Sequence, residues 1–360
     1  MKLKNIAIAF LGALLFATCS KKDDEKEYTA EESKAVVRST MDNFYNCLQN
    51  LNDGGFANFF HDLLFKETVR DHQGETQSWG EFLGEKFDKQ NFAEGLTEGD
   101  RFNYHRMKGT YTWNKNTELW EKTANNENVT FIFPATKGAT NNGKLVIDQY
   151  EDTETTYGND KVYLPTAAHL YATIDNTKVF EVTVKNVTFE KKTNFTMPLS
   201  AHISIYTNPF TTTIQWNRQN PENFVFDFAF SSPQGCTTGL HADIKLTTSD
   251  YGNISSLEKA IDKIAFTATQ GELRIVGNID VKSLEEKGND RKLRVEEINT
   301  YAKAVLMKGN SKIADVKYEE ENDKGVIYFI FSDGSREKAE KYVSDFEDRV
   351  TKIFKRFDRK

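Results

Sequence analysis

Cysteine is scarce in this chain of 360 residues, histidine occurs only six times, and no apolar run is long enough to span a bilayer comfortably. A transmembrane helix needs about 20 apolar residues, and the longest run, residues 6–17, falls short of that. The three cysteines, Cys19, Cys47 and Cys236, show no CxxC spacing, so neither a zinc ribbon nor a thioredoxin-like redox motif is present. There is no GxSxG elbow, HExxH helix, P-loop or Rossmann fingerprint, which leaves no local signature of nucleophilic, metallopeptidase or nucleotide chemistry. Carboxylate pairs of the glycosidase kind leave no local motif, so a hydrolase stays open as a third reading. Excess positive charge is missing too. With 47 Lys and Arg against 54 Asp and Glu the net charge is −7, a poor match for nucleic acid, whose binders carry a basic stripe. The one cationic cluster, Lys352, Lys355, Arg356, Arg359 and Lys360, ends a predicted helix, where cations complement the macrodipole.

What is present begins at the N-terminus. Lys2 and Lys4 precede the apolar run, and small residues lead to Cys19, in the order of a secretory signal peptide. The segment Leu15-Phe16-Ala17-Thr18-Cys19 resembles the lipobox at which bacterial lipoproteins are diacylated and cut. It departs from that pattern at Phe16 and Thr18, where the family places Leu and a small residue. The resemblance implies a signal peptide over 1–18, lipidation of Cys19 and a membrane anchor. Loss of Lys2 and Lys4 with the leader leaves 45 cationic against 54 acidic residues, a net charge of −9. The following Ser20-Lys21-Lys22-Asp23-Asp24-Glu25-Lys26-Glu27 is too charged to pack and reads, with Tyr28, as a tether over 19–28. It also resembles the export signal of Bacteroidota lipoproteins bound for the outer face of the outer membrane. Lipidation of Cys19 would leave Cys47 and Cys236 as an even pair in an oxidising compartment. A disulfide is one outcome, while the helical apolar setting of Cys47 favours a buried free thiol.

Composition is that of a globular protein, 38% hydrophobic and 28% charged. Residues 29–360 read as a single domain with a weak sub-boundary near Ser255-Ser256. Thr29-Ala30-Glu31-Glu32 has the form of a capping box. Val37, Met41, Phe44, Tyr45 and Leu48 then recur at helical spacing, which predicts a helix over 30–52. Two shorter helices follow before residue 95. From Arg101 the period changes to two. Phe224, Phe226, Phe228 and Phe230 share one strand face, and a parity switch predicts a β-bulge near Lys185. Short turns between the runs require antiparallel pairing. Two strands near 264–268 and 273–279 precede a predicted helix over 293–307, then a strand pair over 313–318 and 326–331. Residues 336–357 carry an apolar stripe of helical period, which predicts a helix there. The expected fold class is therefore α+β: one large curved antiparallel sheet over 101–280, covered by N-terminal and C-terminal amphipathic helices.

Two constellations could serve a ligand. His169, His202 and His241 stand on polar strand faces, but in a meander they fall too far apart for one tetrahedral metal, so no metal and no cofactor is expected. Tyr111, Trp113 and Trp120 gather on one face of a hairpin, with Trp113 expected opposite Glu118 and Tyr111 opposite Trp120. Exposed, they make a stacking platform for a glycan or apolar ligand; buried, they are core. The tether together with Trp113-Asn114, Trp120-Glu121-Lys122-Thr123 and Phe131-Ile132-Phe133-Pro134 resembles Bacteroidota surface lipoproteins, a resemblance that covers about a tenth of the chain and brings no site residues. More loosely, a sheet flanked by helices in an exported lipoprotein is similar to half-barrel lipid carriers of the LolA and LppX type, which is fold analogy alone. The expected function is non-enzymatic binding of a lipid, apolar molecule or glycan at the outer membrane surface. The alternative is a structural or interaction subunit of a surface complex with a protein partner.

Overall fold

The computed structural model describes residues 26–357 apart from 71–73, 75, 95–96, 99–100, 158–159, 191–196, 251–256 and 290. The signal peptide, Cys19, most of the tether, the Ser255-Ser256 boundary, Arg359 and Lys360 lie outside the described residues. The fold is α+β and is dominated by a 16-stranded sheet. In hydrogen-bonding order the sheet runs from Arg336–Lys338 back to Val129–Phe133 with every strand beside its sequence neighbour, then through Gly109–Asn114 to Leu119–Thr123. Short connections dictate this meander, since tight turns join only antiparallel neighbours. One pair departs from the expected pattern: Gly109–Asn114 and Val129–Phe133 are parallel. The hairpin partner Leu119–Thr123 takes one edge of Gly109–Asn114, so the next strand, reversing once more, reaches the other edge in parallel.

The chain packs as two compact units, one of residues 26–48 with Thr213–Val350 and one of Gln49–Thr212 with residues 351–357. The chain passes from one to the other at three points, after Leu48, after Thr212 inside the strand Phe210–Asn220, and after Val350.

In the first unit the capping box forms as the sequence predicts. The Thr29 amide donates to Glu32 Oε2 at 2.9 Å, and the Glu32 amide donates to Thr29 Oγ1 at 3.2 Å. It opens the helix Ala30–Asp53, whose Val37, Met41, Phe44 and Tyr45 enter a buried core with Leu273, Ile275, Ala304, Leu306, Val316 and Phe329. Residues 26–28 are not free tether. The Lys26 amide donates to Ser311 Oγ at 2.9 Å and Tyr28 packs against the same core. Cys47 and Cys236, both buried, are joined by a disulfide, and the free thiol expected at Cys47 is not what forms.

Two expectations fail here for one physical reason. Helix covers only Val295–Tyr301, and Ala302–Lys308 is a strand. Ala302, Ala304 and Leu306 satisfy a period of two as well as a helical one, and pairing with Leu273–Asp280 and Ser311–Glu321 decides the matter. Likewise residues 336–357 are not one helix. They form a strand Arg336–Lys338, a 3-10 turn Ala339–Tyr342, a helix Phe346–Phe354 with no buried residue and a 3-10 turn Lys355–Phe357. Pairing of Arg336–Lys338 with Lys324–Ile330 consumes the first turn of the expected helix. The sheet correspondingly runs to Lys338 and not to 280.

In the second unit the helices Gly55–Leu64 and Trp79–Lys89 stand where two short helices were expected. Gly54 admits no side chain, because a Cβ there would lie 2.2 Å from the Asn208 carbonyl oxygen. Ser78 and Glu81 cap Trp79–Lys89 reciprocally. The predicted bulge is present: the register slips between Lys185 and Thr188, and Asn186 has φ +56°.

Candidate functional site

Tyr111, Trp113 and Trp120 do share one face, but the register differs from expectation by two residues. Trp113 lies opposite Trp120 and Tyr111 opposite Lys122. Asn114 stays in the strand and its Oδ1 accepts from the Asn116 amide at 2.9 Å, which moves the loop to residues 115–118. The three rings are buried, at 1%, 3% and 6% exposure. Trp120 Nε1 donates to the Leu83 carbonyl at 2.9 Å, Tyr111 Oη to that of Met107 at 2.9 Å, and Trp79 Nε1 to that of Pro134 at 2.8 Å. Three rings buried in a core, two of them with their polar atoms spent on backbone carbonyls, offer no stacking platform, so the hairpin is structural.

The histidines are dispersed as the meander requires. His169 pairs with Thr183 and His202 with Lys185, on opposite sides of the strand Thr177–Glu190. Among the described residues no group of three or more His, Cys, Asp or Glu could hold a metal ion. His169 has a different setting: Nδ1 lies 2.6 Å from Asp148 and Nε2 3.2 Å from Glu181, which Lys178 also contacts at 2.5 Å. Burial acts to raise the Glu181 carboxyl, but the hydrogen bonds from Lys178 and His169 together hold it below the usual range.

Asp148 points to a feature the period-two reading passed over. Ile147 pairs with Leu170 and Gln149 with His169, so Asp148 is an extra residue in its strand, Gly143–Tyr157. The bulge moves Tyr150 onto the face of Leu145 and Ile147, opposite Ala168. A second irregularity follows, where Glu151 pairs with Ala167 and Asp152 with Pro165. Pro165 has no N–H to give the ladder, which accounts for a break at that point.

Beside this doubly bulged strand lies a cavity of about 330 Å³ lined by Arg101, Phe102, Tyr104, His105, Tyr150 and Asp152, together with Asn103 and Glu151. Phe102 and Tyr150 meet edge to face, with centroids 5.0 Å apart and planes at 88°. Tyr104 Oη donates to the Ile147 carbonyl at 3.2 Å and anchors the floor. The Asp152 side chain is only 2% exposed and accepts from Arg101 Nε at 3.0 and 3.1 Å, with Nη2 at 2.8 Å from Oδ1. Arg101 itself is half exposed and stands 5.3 Å from the centre of the Tyr163 ring. Burial, with Asp152 adding to it, pushes the Tyr150 hydroxyl above its usual range, so it stays protonated.

From Tyr150 an apolar face continues across three strands. Ala168 and Leu170 pair with Val184 and Val182, which pair in turn with Ile203 and Ile205. Apart from Ala168 these side chains are half-buried and belong to neither core. Phe56 of helix Gly55–Leu64 stacks on Phe180 at 5.1 Å at one end of this face.

Comparison with protein-family models finds no family that matches. No curated protein matches the chain. No solved structure matches it either.

Proposed function

We propose that this protein is a lipid-anchored lipoprotein of the outer membrane, exposed at the cell surface, that binds a small lipid, apolar or glycan ligand without turning it over. The observation that carries the reading is the cavity beside Tyr150, where three aromatic rings and several polar side chains converge on one concave site. The Cys47–Cys236 disulfide supports export, because such bonds persist in oxidising compartments. The lipobox-like Leu15 to Cys19 supports the anchor. Among the described residues no helix is long and apolar enough to cross a membrane.

The subunit reading ranks second, since it calls for an exposed apolar patch of several hundred Å². Among the described residues Leu119 and Val276 are exposed large hydrophobic side chains, one in each unit, and the half-buried face of Leu170, Val182, Val184, Ile203 and Ile205 is the surface that such a partner would use.

The test combines anchoring and cargo. Cys19→Ala should shift the protein from the membrane to the aqueous fraction and abolish labelling by a palmitate analogue. Persistence in the membrane without wild-type labelling would refute the anchor. Native mass spectrometry of protein extracted gently from its own membranes should show a bound small molecule. A stoichiometric protein partner in its place would favour the subunit reading.

A further inference from the structure

The Tyr150 cavity has properties that separate the three ligand classes. Its volume, about 330 Å³, sits at the lower end of the range of about 300–1,000 Å³ usual for ligand pockets. That suits one ring-sized group and not an extended acyl chain. Charged and polar groups ring it: Arg101 stands half exposed at its edge, and Glu151 and His105 are exposed beside it. An alkyl chain placed here would desolvate those groups without giving them partners, which costs free energy. An anionic ligand would meet Glu151 and the carboxylate of Asp152, which already occupies Arg101. A neutral ring bearing several hydroxyls has neither conflict. Its hydroxyls donate to Glu151 and accept from Arg101 or the Asn103 amide, and its C–H face lies against an aromatic ring.

We propose that the cavity bounded by Arg101, Phe102, Asn103, Tyr150 and Glu151 binds a neutral pyranose ring, the terminal or internal sugar of a glycan. This rests on the ligand-binding reading above and narrows it. Phe102 and Tyr150, held at right angles, form a corner in which one ring stacks on the sugar and the other closes its edge. Asp152 is a positioning residue. Buried and bidentate, it fixes the Arg101 guanidinium, which the Tyr163 ring supports from another side. The Asp148 bulge is what places Tyr150 on the cavity side of its strand, a placement a regular strand would have given to Gln149.

The experiment uses the mature, disulfide-bonded protein without its lipid, first on an array of hexose- and N-acetylhexosamine-terminated glycans. Titration calorimetry with the free terminal monosaccharide of the strongest hit follows. Wild type should retain a subset of glycans, Tyr150→Ala should weaken binding roughly ten-fold, and His241→Ala, in the other unit, should leave it unchanged. Glu151→Gln replaces an exposed side chain and cannot perturb the core. It carries the test if Tyr150→Ala fails to fold, and it should weaken binding of the same glycans. Affinity unaltered in both folded variants would overturn the assignment. So would a wild-type protein that retains no glycan on the array. In that case a lipid found by native mass spectrometry would leave the broader binding reading standing, and a protein carrying neither would defeat both.

Discussion

The unit of residues 26–48 and Thr213–Val350 buries a largely aliphatic core, in which seven of twenty-three side chains are aromatic, whereas six of ten are aromatic in the core within Gln49–Thr212. The two cores are secured differently as a result. Aliphatic side chains have no polar atoms to place, so the first unit relies on β-ladder register, apolar burial and the Cys47–Cys236 bond. Leaving a buried indole or phenol unpaired costs free energy, and the second unit ties Trp79, Trp120 and Tyr111 to the carbonyls of Pro134, Leu83 and Met107. The second unit also holds the cavity and the doubly bulged strand. Bulges interrupt regular pairing, and a core of large, hydrogen-bonded rings fixes geometry close to such an interruption.

The sharpest way to break this comparison is Trp120→Ala. It removes a buried indole together with its hydrogen bond to the Leu83 carbonyl, a loss of about 3–5 kcal/mol in denaturant unfolding. Hydrogen exchange should show lost protection in Gly109–Asn114, Leu119–Thr123 and Val129–Phe133 before Leu273–Asp280 and Ala302–Lys308. Equal loss in both regions would mean that the two cores are one cooperative body. Next in size is the double change Cys47→Ala with Cys236→Ala. The bond spans 189 residues, and its removal should cost about 2–5 kcal/mol, expressed in the aliphatic unit. Reductant should lower the melting temperature of wild type and leave the variant where it is. If reductant acts on both alike, the bond is not the source.

The fold was legible where one period dominated. The helix Ala30–Asp53, the helices Gly55–Leu64 and Trp79–Lys89, the antiparallel meander and the Lys185 bulge all follow from side-chain spacing and turn residues. It was not legible where two periods fit equally, as at Ala302, Ala304 and Leu306, or where a partner strand claims the start of a helical stripe, as Lys324–Ile330 does at Arg336. The aromatic cluster was found as residues but not as environment, because burial is a tertiary property and Tyr111, Trp113 and Trp120 spell the same pattern inside or outside a core. The Tyr150 cavity was missed altogether. Its members come from 101–105 and 150–152, and the signal that could have found it was the break in alternation at Ile147, Asp148 and Tyr150, which places two apolar residues three apart in a strand otherwise of period two.

A smaller effect is expected at the N-cap of Trp79–Lys89. The Glu81 amide donates to Ser78 Oγ at 3.2 Å and the Ser78 amide donates to Glu81 Oε2 at 2.9 Å. Ser78→Ala should cost about 0.5–2 kcal/mol and should leave exchange in the aliphatic unit unchanged. A loss as large as that of Trp120→Ala would show that the cap, and not the ring packing, organises the aromatic unit.

The smallest effects concern pH, and they should run in opposite directions in the two units. Asp227 Oδ1, 2.7 Å from His241 Nδ1, raises that imidazole above its ordinary 6.5, burial opposes the shift, and Asp243 adds to it. Thr267 is the uncharged neighbour across the next strand. A raised folded-state pKa means that the charged pair stabilises fully below 6.5 and that its contribution fades as pH rises through the folded value. Glu181 behaves in the reverse sense. Its lowered pKa gives a contribution present above 4.5 and lost as pH falls through the folded value. His241→Gln should therefore destabilise the aliphatic unit at mildly acidic pH and converge with wild type at alkaline pH. Glu181→Gln should destabilise the aromatic unit at neutral pH and converge with wild type in acid. The His241 side chain is 47% exposed, so salt should screen its effect strongly. A His241→Gln profile parallel to wild type at low salt would remove the Asp227 pair from the account of stability.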